Sequence, residues 1–406
     1  MPTPAPLYLD HAAATPMYPE VAAAIAEAQG VAHANPSSQH ALGRAARRLL
    51  EDARERIVAA LGGSGTGLQR DRLVFTSGAS EANHLALLGM TAAAATVGDV
   101  LFSRRDHPSS VNAALVAGRR GWRLQELSLD AAGTAGAAIV ARTSGDAIGP
   151  QIASLTLVCG QTGSIEDLPA IAARLSAAGR HPMLVHIDAT QAVGLMAIDF
   201  HALPAATLSL APHKFGGPRG IGGLLIGGGV AIEPIQAGPQ EHSLRGGTEA
   251  VPLAVGFARA IELAVADREQ AAERVARLRD RLESRLLAAA HQMGIPAVVI
   301  AATARRCPHI STIAFPGLDR QALAMAADLA GVCLATGTAC ASGSSEPSPT
   351  LVAMGLAPDL VRSAVRLSVG RTTTEADIDL AMERLAPLWH NPKSDPHRQR
   401  RFGCDA

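Results

Sequence analysis

The pair His213-Lys214, in the stretch Ala211-Pro212-His213-Lys214, stands just beyond an apolar segment. Lys214 lies 26 residues after Asp188, which closes the apolar run Met183-Leu184-Val185-His186-Ile187. Two adjacent short strands ending there would deliver a carboxylate and a primary amine to one sheet edge. That pairing suits pyridoxal phosphate: the amine forms a Schiff base, and the carboxylate keeps the pyridine nitrogen protonated so that the ring withdraws electrons. Taken singly, each residue has an ordinary alternative, a solvated lysine and a turn or capping aspartate.

Further polar residues fall at the ends of predicted strands. Thr76-Ser77-Gly78-Ala79-Ser80-Glu81 follows one strand and opens a helix, so its small residues and free amides form an anion site. An ordinary serine cap is the alternative. His213 and Thr248, the latter in Leu244-Arg245-Gly246-Gly247-Thr248, could add donors to a phosphate. His107 follows another strand, where a flat imidazole could stack on a ring and move protons; a loop histidine bonded to backbone is the alternative. Cys340 lies in the Gly/Ser/Thr-rich stretch 335–347, which reads as an exposed, mobile loop. A thiol there can act as a nucleophile once deprotonated, whereas Cys333, in an apolar run, reads as a buried, inert cysteine. Arg366 interrupts the apolar strand 365–368, so it needs a carboxylate, either a substrate's or an internal one.

The elements that must position these groups alternate between strand and helix. Strands are predicted over 72–76, 100–103, 154–158, 184–187, 207–211 and 222–226, with helices over 81–95 and 168–178. This order argues for an α/β domain with a largely parallel sheet. One long amphipathic helix is expected over 252–291, followed by strands at 297–300, 310–315 and 365–368 and helices at 320–329 and 375–388, a smaller α/β lobe. At 406 residues the chain has room for both. The expected division is an N-terminal segment 1–20 joining the small lobe, a large domain 21–260, a small domain 261–390 and a flexible tail 391–406.

Lys+Arg and Asp+Glu are both 36, so no global field draws in nucleic acid or an anionic membrane. No uninterrupted apolar run spans a bilayer, and the N-terminus lacks a secretory signal. Five scattered cysteines without a CxxC pair argue against a disulfide framework or zinc site, so the chain reads as cytoplasmic and free of structural metal. Aromatics make up only 3%, which leaves the core to Ala, Val, Leu and Ile.

Ordered blocks run nearly end to end: Tyr8-Leu9-Asp10-His11-Ala12-Ala13, Asn35-Pro36-Ser37-Ser38-Gln39-His40, 75–81, His107, 186–194, 213–220, 245–248, 336–347 and 366–371. In these the chain resembles the cysteine desulfurases, pyridoxal phosphate enzymes of fold type I in the class V aminotransferase group, and more closely their long-loop branch serving iron–sulfur cluster assembly. The resemblance implies a large domain with a mostly parallel seven-stranded sheet flanked by helices. Lys214 would be the Schiff-base lysine, Asp188 the partner of the pyridine nitrogen, Gln191 the donor to the ring hydroxyl, and His107 the stacking group. Ala79, Ser80 and His213 would hold the phosphate, with Thr248 supplied by the other subunit of a homodimer. Arg366 would bind the carboxylate of L-cysteine. Cys340 would take the sulfur as a persulfide and pass it to an acceptor protein, a scaffold or sulfurtransferase, leaving alanine.

Two positions depart from the family pattern. Gly160, in Val158-Cys159-Gly160-Gln161-Thr162-Gly163, stands where the family carries an asparagine, and Ala211 stands where it carries a serine. Selenocysteine lyase or another carbon–sulfur lyase is one alternative, and a catalytically weakened scaffold paralogue is another.

Overall fold

The computed structural model describes residues 6–67, 70–135, 149–178, 183–337 and 346–389. Cys340 and the expected tail lie outside them. In chain order the elements begin with strand β1 (Leu7–Tyr8), helices α1 (Pro19–Val31) and α2 (Ala41–Ala60), β2 (Arg72–Thr76), α3 (Ala79–Ala93), β3 (Asp99–Ser103), α4 (Pro108–Arg119) and β4 (Arg123–Leu127). Then come β5 (Gln151–Thr156), α5 (Leu168–Ala178), β6 (Met183–Asp188), β7 (Thr207–Leu210), β8 (Gly222–Ile226), α6 (Val251–Ala266) and α7 (Arg268–Gln292). The chain continues through β9 (Val298–Val299), β10 (Ile310–Ala314), α8 (Arg320–Leu329), β11 (Val332–Cys333), α9 (Pro349–Ala353), α10 (Pro358–Ser363), β12 (Ala364–Ser368) and α11 (Glu375–Leu385).

Seven strands form one sheet in the order β2-β8-β7-β6-β5-β3-β4, in which β8 alone runs against its neighbours. Its interior strands are mostly apolar, as a sheet covered on both faces requires, and their buried polar residues include Asp99, Gln151, His186 and Asp188. On one face Leu155, Ile187, Leu208 and Leu225 pack against Phe257 and Ala260 of α6. On the other, Val100, Phe102, Ile152 and Leu224 pack against Leu85 and Leu88 of α3 and Val111 of α4. A second core joins Leu278, Leu282 and Leu286 of α7 to Ile313, Val365, Leu367 and Ile378, with Leu7 and Leu9 from the N-terminal segment. The segment is drawn there by parallel pairing of β1 with β11.

The α/β layering agrees with the pattern of apolar runs, and four local expectations change. β4 escapes the hydrophobic pattern because it is a charged edge strand, Arg123 to Leu127, half in water. β5 begins at Gln151 and ends at Thr156, since Leu157 and Val158 leave the sheet to build the turn carrying Gly160. The single helix expected over 252–291 is two helices broken at Asp267. Arg371 explains the break: it donates to the carbonyl of Ala264 at 2.7 Å and of Leu263 at 3.3 Å and pairs with Asp267, so the freed end of α6 is satisfied from outside. Cys333 is half-buried, and the buried thiols are Cys159 and Cys307.

Two contacts set the sheet edge that matters for chemistry. Gly222 opens β8 so close to α3 that an added Cβ would lie 2.4 Å from the carbonyl carbon of Gly78, which only glycine permits. Arg105, beyond β3, pairs with Glu166 beyond β5 and donates to the carbonyl of Ser164 at 2.8 Å; both side chains are almost fully buried. That pair clamps together the two connections bearing His107 and Gly160. Glu166→Ala should therefore lower unfolding free energy in urea by about 3–5 kcal/mol, because it strands a buried guanidinium. The double change Arg105→Met with Glu166→Leu should recover much of the loss. Equal losses in the single and double variants would contradict this account.

Candidate active site

The carboxyl ends of β2, β3, β5, β6 and β7 meet at one edge, the place where open α/β sheets bind ligands. Register pairs Asp188 of β6 with Ser209 of β7, and a single turn of 3₁₀ helix, Pro212–Lys214, then brings Lys214 to the same edge. The Lys214 ammonium donates to the carbonyls of Ala12 at 2.7 Å and Ala13 at 2.9 Å. The N-terminal segment thus orients the amine. Of the 36 Lys and Arg residues only Lys214 and Lys393 are lysines, so an amine at this edge is a specific choice in an arginine-rich chain.

Asp188 is 4% exposed, and both of its oxygens are engaged. Thr190 N donates to Oδ1 at 2.9 Å and Asn83 Nδ2 to Oδ2 at 3.0 Å. His107 caps α4, its Nδ1 accepting from Ser109 N at 3.2 Å and lying 2.7 Å from the Ser109 hydroxyl. The backbone-bonded alternative is therefore present. Burial pushes the His107 imidazole below its usual range, opposed by the nearby Asp188 carboxylate and reinforced by the Lys214 charge. The three groups thus share one electrostatic neighbourhood. Burial likewise holds His213 at about 4.

The helix start read as an anion site belongs to α3, which begins two residues earlier than the pattern indicated and so places Ala79 and Ser80 in its first turn. First-turn amides have no partner within a helix, and they point outward with the positive end of the dipole. Arg245 Nε donates to Glu81 Oε1 at 3.0 Å, docking the segment of Thr248 beside that helix start, where Thr248 is exposed. Ala211 is fully buried and offers no hydroxyl.

Arg366, 2% exposed on β12, donates to Asp10 Oδ1 at 2.8 Å and to the Gly160 carbonyl at 2.9 Å, while its Nε is buried without a partner. The internal bridge is thus the one made, and the Nε–H is left over. Gln191 donates from Nε2 to the Ala12 carbonyl at 2.8 Å, and its Oε1 lies 3.2 Å from His309 Nε2. Gln161 is 1% exposed with neither amide atom bonded. At Gly160 an added Cβ would meet Gln191 Nε2 at 3.6 Å, ordinary contact distance, so a Cβ fits.

Sequence reasoning overlooked Asn83, Ser109, His186, Thr207 and Ser209, which form the polar layer beneath Asp188. The available signal was an asparagine inside an otherwise apolar helix. A pyridoxal phosphate group fits what is present: an oriented amine, an anchored carboxylate, an imidazole, unmet buried donors and a helix start suited to a phosphate. Among the described residues no cluster of three or more His, Cys, Asp or Glu is arranged for a metal ion. No helix there is long and apolar enough to cross a membrane.

Comparison with known proteins places the chain in a family. The family described as aminotransferase class V matches residues 7–380. An IscS-like cysteine desulfurase of Mycobacterium tuberculosis is 35% identical, covering 93% of this chain and 95% of its own length. A cysteine desulfurase of Dictyoglomus turgidum is 31% identical, covering 97% of each chain. Among solved structures, a NifS-like protein superposes with a TM-score of 0.84 at 25% identity, covering 94% of this chain and 99% of that one.

Burial also fixes how the fold responds to acid. It lowers His186 to about 4 and His309 to about 3. In the unfolded chain both titrate near ~6.5, so between the two values the unfolded state binds protons that the folded state does not. Stability is therefore complete above about pH 6.5 and falls as pH drops, by at most about 1.4 kcal/mol per pH unit for each histidine. Urea unfolding of the apoprotein between pH 5 and pH 7 should show this slope, and His309→Asn should reduce it by about one proton. An unreduced slope in His309→Asn would contradict the assignment.

Proposed function

The chain belongs to the class V aminotransferase family, and from that premise we propose that it is a pyridoxal phosphate-dependent cysteine desulfurase. The observation that carries this reading is the oriented amine of Lys214 and the anchored carboxylate of Asp188 at one sheet edge. The names of the relatives, cysteine desulfurases over nearly the whole chain, support it. We assign residues 1–20 to an N-terminal segment joining the small lobe, 21–260 to the large domain and 261–390 to the small domain.

Ala79, Ser80 and His213 would hold the coenzyme phosphate, with Thr248 reaching in from a second copy of the chain. Asp188 would hold the proton at the ring nitrogen, Gln191 would donate to the ring hydroxyl, and His107 would stack on the ring. Bound there, the coenzyme supplies an electron sink for charge that develops at the substrate α-carbon. Arg366 binds the substrate carboxylate through the donor that Asp10 and Gly160 leave over. Lys214 removes the α-proton. The Cys340 sulfur then forms a bond to the cysteine sulfur as the carbon–sulfur bond breaks, and alanine is completed by one proton delivered to Cβ, balancing the one lost from the Cys340 thiol, and by return of the α-proton from Lys214. One cysteine and one Cys340 thiol thus become one alanine and one Cys340 persulfide. The persulfide sulfur passes to an acceptor protein for iron–sulfur cluster or thio-cofactor assembly. This chemistry suits the reducing cytoplasm, where Cys159, Cys307 and Cys333 stay free thiols.

Product analysis tests the reading: incubation with cysteine should release alanine in step with persulfide, whereas pyruvate and ammonia would identify an eliminating lyase. Cys340→Ala should keep coenzyme and cysteine binding but lose alanine turnover; full activity would reject the persulfide route. Gly160→Asn supplies a side-chain amide at a position where a Cβ meets only ordinary contacts. It should raise kcat/KM by about one to two decades, the worth of a charge-assisted hydrogen bond in the transition state. An unchanged or lower rate would show that this amide is not what the site lacks.

A further inference from the structure

We propose that Asn83 is a positioning residue for the coenzyme ring: one buried amide that holds Asp188 directly and His107 through Ser109. The proposal rests on the pyridoxal phosphate reading and extends it to a residue that touches neither coenzyme nor substrate.

Asn83 lies in α3, wholly buried, and all of its hydrogen-bonding capacity is used. Nδ2 donates to Asp188 Oδ2 at 3.0 Å and to the Ser109 hydroxyl oxygen at 2.9 Å. Oδ1 accepts from the Ser209 hydroxyl and from His186 Nε2, the latter at 3.0 Å. A carboxylate only accepts, so the amide nitrogen must face Asp188 and the oxygen must face His186. His186 then carries its proton on Nε2, and its Nδ1 accepts from the Thr207 hydroxyl at 2.9 Å. Burial keeps that imidazole neutral, as this arrangement needs.

The same logic runs outward to the site. Because the Ser109 oxygen receives a proton from Asn83, its own hydrogen is directed at His107 Nδ1, 2.7 Å away. Ser109 N donates to the same atom at 3.2 Å. A neutral His107 therefore carries its proton on Nε2. The carboxylate at the ring nitrogen and the imidazole assigned to the ring face are thus set by one amide. Simple core filling would ask for none of this, since leucine has a similar size.

Asn83→Leu separates the two roles. With its Asn83 donor gone, Asp188 competes more strongly for the ring proton. Apoprotein reconstituted with pyridoxal phosphate labelled with ¹⁵N at the ring nitrogen should give a protonated signal in the wild type. In Asn83→Leu the signal should move toward the unprotonated position, and affinity for the coenzyme should fall about tenfold or more. A wild-type ring-nitrogen signal with wild-type affinity in the variant overturns the positioning role. A wild type that takes up no pyridoxal phosphate overturns the parent reading as well, which keeps the two failures apart. Should Asn83→Leu not fold, Ser109→Ala tests the outer arm through the ¹⁵N spectrum of the His107 ring. The wild type should show the Nε2–H tautomer, and Ser109→Ala should show a mixture with Nδ1–H; an unmixed spectrum overturns the relay.

Discussion

A carboxylate buried at the end of a parallel strand is costly unless donors surround it, and Asp188 at 4% exposure meets that condition. Thr190 N and Asn83 Nδ2 each engage one oxygen, and Asn83 is in turn fixed by His186 and Ser209. The layout of the sheet follows from this need: β6 supplies the acid, β7 the serine, and α3 crosses behind them with the amide. Without that polar layer an apolar sheet of this composition could not carry a charge at its edge.

The other half of the site comes from the ends of the chain. The N-terminal segment pairs with β11 and gives the Ala12 and Ala13 carbonyls to Lys214 and the Asp10 carboxylate to Arg366. Arg366 in turn donates to the Gly160 carbonyl beyond β5. Elements far apart in sequence therefore converge on one cleft, where backbone carbonyls hold Lys214 and Gln191 and side chains hold Asn83. Such positioning by rigid strands favours precise chemistry over adaptable binding.

Much of this was legible in the sequence. Apolar runs of strand length gave the interior strands, because a sheet buried on both faces leaves a continuous signal, whereas the charged edge strand β4 left none. The acid and amine were readable from their places after apolar runs. The break at Asp267 was not, since it depends on Arg371, a residue 104 positions away. Asn83 and Ser109 were hidden for a related reason: their meaning lies in partners on other elements, and a polar residue inside an apolar helix carries no label for what it holds. Arg366 was read as needing a carboxylate, but its Asp10 partner became evident only when the N-terminus was seen to fold back.

The most direct test of the account is covalent. Incubation of the protein with pyridoxal phosphate, reduction with borohydride and peptide mapping should place the reduced adduct on Lys214. With only two lysines in the chain, the comparison is with Lys393 alone. An adduct at Lys393 with none at Lys214, or no adduct at all, would contradict the claim that this sheet edge is built around a coenzyme.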